Sequence, residues 1–197
     1  MVELAGRPLL DWSLDALRAS QWVGPIVVAV PPGEEATVQR DGVQVVAGGA
    51  SRSESVAAAF AQLEAEFVVV HDAARPLITA ELIDAVLDDL LNDPEAGAVV
   101  AAAPVTDTIK QVARGMEVDR TLDRSSLWAA QTPQAFRADA LREALASTEL
   151  LAQATDDAML VERLGGRVLL YEAPAENIKV TTPLDLQVAE LLLAERS

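Results

Sequence analysis

Apolar runs of strand length recur along the chain at residues 26–30, 43–46, 67–70, 98–102 and 168–171, each rich in β-branched or small residues and bounded by Gly, Pro or charge. Between most of them the spacing becomes helical. In 81–91 the apolar positions Leu82, Ile83, Val86, Leu87, Leu90 and Leu91 share one side of a 3.6-residue period, and in 53–63 Val56, Phe60 and Leu63 do the same. Pro8 and Pro183 stand where helices begin, with Thr182 as a cap before the second. Strands alternating with helices predict an α/β fold, a mainly parallel sheet with helices on both faces.

One segment departs from this rhythm. Residues 104–133 are rich in Thr, Val, Arg and Asp, and Arg114-Gly115-Met116 lies between 108–112 and 118–121, a pattern that predicts a β-hairpin arm. Two strands alone in water are marginal, so the arm is expected to pack on a second subunit.

With 197 residues and 51% apolar content, the chain suits one domain over 1–197 with a full core. A net charge of −16 repels nucleic acid and anionic membranes, so an anionic small molecule has to be held by local cations. The absence of cysteine removes disulfides and thiolate metal sites and fits the cytoplasm. No run is long enough to span a bilayer, and the amino terminus lacks the pattern of a secretory signal.

The most informative stretch is Val69-Val70-His71-Asp72-Ala73-Ala74-Arg75-Pro76, where a β-branched run stops on an acid and a base. In open α/β sheets ligands bind at the carboxyl ends of the strands, so Asp72 and Arg75 read as ligand contacts, with Pro76 fixing the exit path. His71, the single histidine, reads as a structural residue rather than a general base, because no nucleophile or orienting partner stands near it in sequence. Gly48-Gly49-Ala50-Ser51-Arg52-Ser53-Glu54-Ser55 follows a strand and opens a helix. It fits an anion cradle and, equally, an ordinary turn with Ser51 as helix cap. Thr155-Asp156-Asp157 reads as a helix cap whose hydroxyl can also hold phosphate. Asn177-Ile178-Lys179-Val180-Thr181 reads as a short strand that aims Lys179 and Thr181 to one side.

These segments, together with Pro104-Val-Thr-Asp-Thr-Ile-Lys110, Leu122-Asp-Arg-Ser-Ser-Leu-Trp-Ala-Ala-Gln-Thr-Pro-Gln134 and Asn177-Ile-Lys-Val-Thr-Thr-Pro183, occur in an order that closely resembles the 2-C-methyl-D-erythritol 4-phosphate cytidylyltransferases over nearly the whole chain. The resemblance implies a Rossmann-like nucleotidyltransferase fold with 104–133 as a dimerisation arm and its return strand. It implies transfer of CMP from CTP to a polyol phosphate with release of pyrophosphate, in non-mevalonate isoprenoid precursor biosynthesis, by a cytoplasmic homodimer. It further implies that Gly49, Ala50, Arg52, Ser55 and Ala73 touch CTP, that Asp72, Arg75, Thr132 and Thr155 line the acceptor site, and that Lys179 with Arg124 positions the acceptor phosphate. Thr108 and Arg124 would serve the partner's site. Ala50 replaces an acidic residue common in the family, and a backbone contact is expected to survive that change. Mg²⁺ would be held mainly by the substrate phosphates, with no dedicated metal ligands.

The family resembled opens with a strand and a Gly-rich loop of the type Ala-Ala-Gly-x-Gly-x-Arg, then Pro-Lys, ahead of the element matching Val2-Glu-Leu-Ala-Gly-Arg-Pro8. Neither stands in this sequence. The expectation is therefore a sheet without its first strand and a site without that loop's Arg and Lys, which leaves catalysis by the chain as written open. Two other readings stand beside it: a nucleotidyltransferase for another polyol phosphate such as ribitol phosphate, and a non-catalytic nucleotide-binding or scaffold subunit.

Overall fold

Alternating side chains along buried strands build two sheets and the cores that cover them. The computed structural model describes residues 2–146 and 156–196. A four-stranded sheet has the order β10-β6-β9-β5, where β5 is Phe67–Val70, β6 Ala96–Pro104, β9 Trp128–Arg137 and β10 Arg167–Glu172. The ladders β10–β6 are parallel and β6–β9 and β9–β5 antiparallel, so β5, β6 and β10 run one way and only β9 opposes them. The sheet is mixed rather than uniformly parallel because the chain returns from the arm as a strand and inserts between β5 and β6.

Both faces of this sheet are covered, and period-2 alternation decides which residue serves which face. Val68, Val70, Ala98, Val100 and Phe136 pack against α4 (Ala138–Leu145) and α5 (Ala158–Arg163). Phe67, Val69, Val99, Ala101 and Ala135 face the opposite layer, where α3 (Ala80–Asn92) places Leu82, Ile83, Val86, Leu87 and Leu90. Strand β6 is therefore buried on both faces, which explains its run of small and β-branched residues. Truncating the fully buried Phe136 to Ala removes contacts on the order of 3–5 kcal/mol.

A separate parallel pair, β3 (Ile26–Val30) and β4 (Val43–Ala47), is covered by Leu10 and Leu14 of α1 (Leu9–Ala19). Ahead of α1, β1 (Glu3–Leu4) and β2 (Arg7–Pro8) form a small hairpin whose turn residues Ala5 and Gly6 both have positive φ, +49° and +75°. Leu4 from this hairpin packs with Leu9, Leu77 and Ala189, the last from α6 (Pro183–Glu195). Among the described residues no ladder joins β3 to β5. Instead a cavity of about 650 Å³ is lined by Ile26 to Ala29 on one side and Phe67 to Val70 on the other, and it reaches Arg52, His71 and Asp72 at one end.

The hairpin arm consists of β7 (Lys110–Val112) and β8 (Val118–Thr121), paired antiparallel. All residues from 111 to 121 are exposed.

Candidate active site

The site is built where three loops meet at the carboxyl end of β5. The first is the turn that follows Val70, closed by the Arg75 N–H donating to the Asp72 carbonyl at 2.9 Å. The second is the segment before α6, which lies beside it through the Val180 N–H donating to the Ala74 carbonyl at 2.7 Å. This segment is extended loop rather than the short strand the alternation predicts. Lys179 and Thr181 accordingly find different partners. Thr181 and Thr182 both donate to Asp185, which with Thr182 forms the capping box of α6, whereas Lys179 reaches the site.

The third loop, Gly48-Gly49-Ala50-Ser51, leads into α2 (Arg52–Phe60). Ser51 accepts from the Glu54 N–H and Glu54 accepts from the Ser51 N–H, a capping box that fixes the helix start. The Ser55 hydroxyl accepts the Gly49 N–H at 3.1 Å and donates to the Ser51 carbonyl at 2.9 Å. A Cβ at Gly49 would lie 2.2 Å from Glu54 Cβ, so the close loop requires glycine there. The cap reading of Ser51 thus holds, and it is what puts Arg52 in the first helical position.

Arg52, Asp72, Asp157 and Lys179 form one chain of alternating charge. Arg52 Nε lies 3.1 Å from Asp72 Oδ1, Lys179 Nζ lies 2.9 Å from Asp72 Oδ2, and Arg52 Nη1 pairs with Asp157 Oδ2. Burial pushes the Asp72 carboxyl upward, but the Lys179 hydrogen bond and the Arg52 charge outweigh it and hold Asp72 below its ordinary value. Asp157 is fully buried, and that desolvation pushes it up despite Arg52. Its Oδ1 has no hydrogen-bond partner among the described residues.

Arg75 is only 8% exposed and donates through Nη1 to the Asn177 carbonyl at 2.7 Å. Asn177 in turn donates to Gln131 Oε1 and the Thr132 carbonyl, tying the Lys179 loop to β9. Thr132 is 3% exposed, and its hydroxyl lies between the Asp72 N–H and His71 Nδ1, each at 3.0 Å.

Of the candidates from sequence, Arg52, Asp72 and Lys179 therefore meet directly, and Arg75 and Thr132 join them through the turn. Gly49 belongs to the loop before α2 and Ser55 to the first turn of that helix, with Ala50 and Ala73 exposed nearby in their loops. Thr108 and Arg124 lie exposed on the arm segment, where Arg124 bonds the Thr106 carbonyl. Thr155 lies outside the described residues. Sequence reasoning missed Asp157, Asn177 and Gln131. Two successive acids at a helix start were the available signal for Asp157, since one of them has to find a cation if it is buried.

The fold and this cluster together place the chain among the nucleotidyltransferases. A crystal structure of 2-C-methyl-D-erythritol 4-phosphate cytidylyltransferase from Thermus thermophilus matches 98% of this chain and 92% of its own with a TM-score of 0.85 at 37% identity. The enzyme of that name from Parasynechococcus marenigrum (strain WH8102) is 43% identical over 205 residues, covering all of this chain and 89% of the relative. One from Frankia casuarinae is 45% identical over 196 residues, covering 97% and 72%. The family profile described as IspD: 2-C-methyl-D-erythritol 4-phosphate cytidylyltransferase matches residues 1–195. The chain belongs to the 2-C-methyl-D-erythritol 4-phosphate cytidylyltransferase family.

Proposed function

We propose that the chain, as one domain, transfers CMP from CTP to 2-C-methyl-D-erythritol 4-phosphate in the cytoplasmic non-mevalonate route to isoprenoid precursors. The observation that carries this reading is the Lys179–Asp72–Arg52–Asp157 chain of charge at the end of β5, opposite a Gly-Gly loop at a helix start. In a molecule of net charge −16, Arg52, Arg75 and Lys179 brought to one strand end support an anionic ligand, which would take Arg52 and Lys179 over from their carboxylate partners. A phosphate oxygen of the acceptor attacks the α-phosphorus of CTP. The bond from that phosphorus to the bridging oxygen breaks, and its electron pair leaves on pyrophosphate. No protein group becomes covalently attached, so the side chains act by placing two anions in line and offsetting their repulsion.

Gly49, Ala50, Arg52, Ser55 and Ala73 belong to the nucleotide side. Asp72, Arg75, Thr132, Thr155 and Lys179 belong to the acceptor side, with Arg124 and Thr108 delivered by a second subunit. Among the described residues no three His, Cys, Asp or Glu side chains are grouped to hold a metal ion, and both Asp72 oxygens are committed to cations. Mg²⁺ enters this reading as part of the substrate, CTP·Mg²⁺, held mainly by its phosphates. The exposed Val112, Met116 and Val118 of the arm support its use as a homodimer contact. The apolar cavity between β3 and β5 supports a further strand there, pairing with both open edges and leading into a phosphate loop.

Pyrophosphate release by the purified chain tests the reading. Turnover is expected only with CTP and methylerythritol phosphate together. Turnover with ribitol 5-phosphate instead would replace the acceptor, and CTP binding without turnover on either would select a non-catalytic subunit.

A further inference from the structure

His71, the single histidine, bridges the two ends of the Asp72–Arg75 turn, and for a neutral imidazole the hydrogen bonds around it admit one polarity only. Its Nε2 lies 3.3 Å from the Arg75 carbonyl oxygen, which accepts and never donates, so Nε2 carries the proton. Nδ1 is then a bare lone pair, and the Thr132 hydroxyl at 3.0 Å donates to it. The Thr132 oxygen is left to accept the Asp72 N–H, also at 3.0 Å. Each link thus fixes the next: Asp72 N–H to Thr132, Thr132 O–H to His71 Nδ1, and His71 Nε2–H to the Arg75 carbonyl. Desolvation draws His71 down to about 4, which agrees with an imidazole holding one proton. A second proton, on Nδ1, would donate to the Thr132 oxygen and turn that hydroxyl's own hydrogen elsewhere, reversing the middle link alone.

From this geometry we infer that His71 is a positioning residue for the acceptor side of the reaction, a rigid spacer that sets where Asp72 and Arg75 present themselves and ties their turn to Thr132 on β9. The inference rests on the assignment of Asp72 and Arg75 to the acceptor. Thr132 acts through His71 and the Asp72 backbone, with its hydroxyl consumed inside the protein.

Because the chain has one histidine, ¹⁵N-histidine labelling gives a single imidazole to observe. The expected spectrum of the intact protein at pH 7 is the neutral Nε2–H form, with the Nδ1 resonance shifting in Thr132→Val and returning in Thr132→Ser. An Nδ1–H form or an imidazolium would overturn the inference. In kinetics, His71→Gln keeps a donor for the Arg75 carbonyl and loses the Thr132 link. It is expected to lower kcat/KM for the polyol phosphate by about tenfold or more while the KM for CTP stays within about twofold. The double variant His71→Gln/Thr132→Val is expected to be no worse than the poorer single variant, because both break one chain. Multiplying effects, or wild-type acceptor kinetics in both single variants, would overturn the inference. If His71→Gln fails to fold, the Thr132→Ser and Thr132→Val pair decides by the same kinetic split. A wild-type chain that turns over no polyol phosphate would sink the acceptor assignment, whereas the tautomer signal still reports the hydrogen-bond chain.

Discussion

Lys179 and Arg52 both hold Asp72, yet they differ in what their loss should do. Lys179 is substantially exposed, and an exposed ion pair contributes little to folding. Lys179→Ala is therefore expected to cut kcat/KM for the acceptor by roughly 10²–10³ while the melting temperature barely moves. Steady-state rates set beside thermal melts check this, and a large fall in Tm with intact catalysis would refute it. His71 governs a different property. Its folded value of about 4 lies below the ordinary 6.5, with burial the main cause, Asp72 and the hydrogen bond to the Arg75 carbonyl opposing it, and the Arg75 and Arg52 charges adding to it. Between those pH values the unfolded chain binds the extra proton, so stability is retained above pH 6.5 and falls as pH drops toward 4, by at most about 1.4 kcal/mol per unit. Denaturant titrations of wild type and His71→Gln should differ in slope only within that window. At this scale Asp72 was legible because an acid directly after a β-branched run has few structural uses, whereas Arg52 and Lys179 were named through the resemblance. Asp157 and Asn177 were not legible, since their burial depends on residues more than forty positions away.

The helix start at Ser51 has a structural role and, on the proposed reading, a chemical one. Replacing it with Ala deletes the capping box that orders the Gly-Gly loop, a loss of about 1 kcal/mol. Because Arg52 is the next residue, the same change is expected to raise the KM for CTP severalfold. Thr182→Ala, which removes the equivalent cap from α6, is expected to lower Tm similarly with little change in that KM. Thermal melts and CTP titrations on the two variants separate these outcomes. Among elements, the five predicted strands and the helices 53–63 and 81–91 were legible from period alone, with ends shifted by a few residues. Strand β9 was hidden from the hydrophobic pattern, although the resemblance implied a strand returning from the arm. Gln134 sits in its buried half, its amide donating to Gln131 and Asp156, so a polar residue occupies a position where the pattern calls for an apolar one. The hairpin at Glu3–Leu4 and Arg7–Pro8 is too short for any period to register.

The whole molecule joins a covered sheet to an arm that has no core of its own. If the arm completes a neighbour's site, Arg75→Ala and Arg124→Ala protomers, each inactive alone, should recover about a quarter of wild-type turnover after random reassortment. Activity that stays absent in proven mixed dimers would confine the site to one chain. The fold class was readable because alternating periods report local burial, whereas the division into two sheets depends on which strand edges meet, and that is a property of the assembled chain. The pairing of Asp72 with two cations has one more consequence. If the proposed site is right, the protein supplies its own occupant before any ligand arrives, and entry would be an exchange rather than a filling. A singly charged ion would offer Arg52 and Lys179 no more than the resident carboxylate already does, while a doubly charged phosphate ester could evict it. Discrimination against chloride, acetate and other background anions would then begin with the seat being taken.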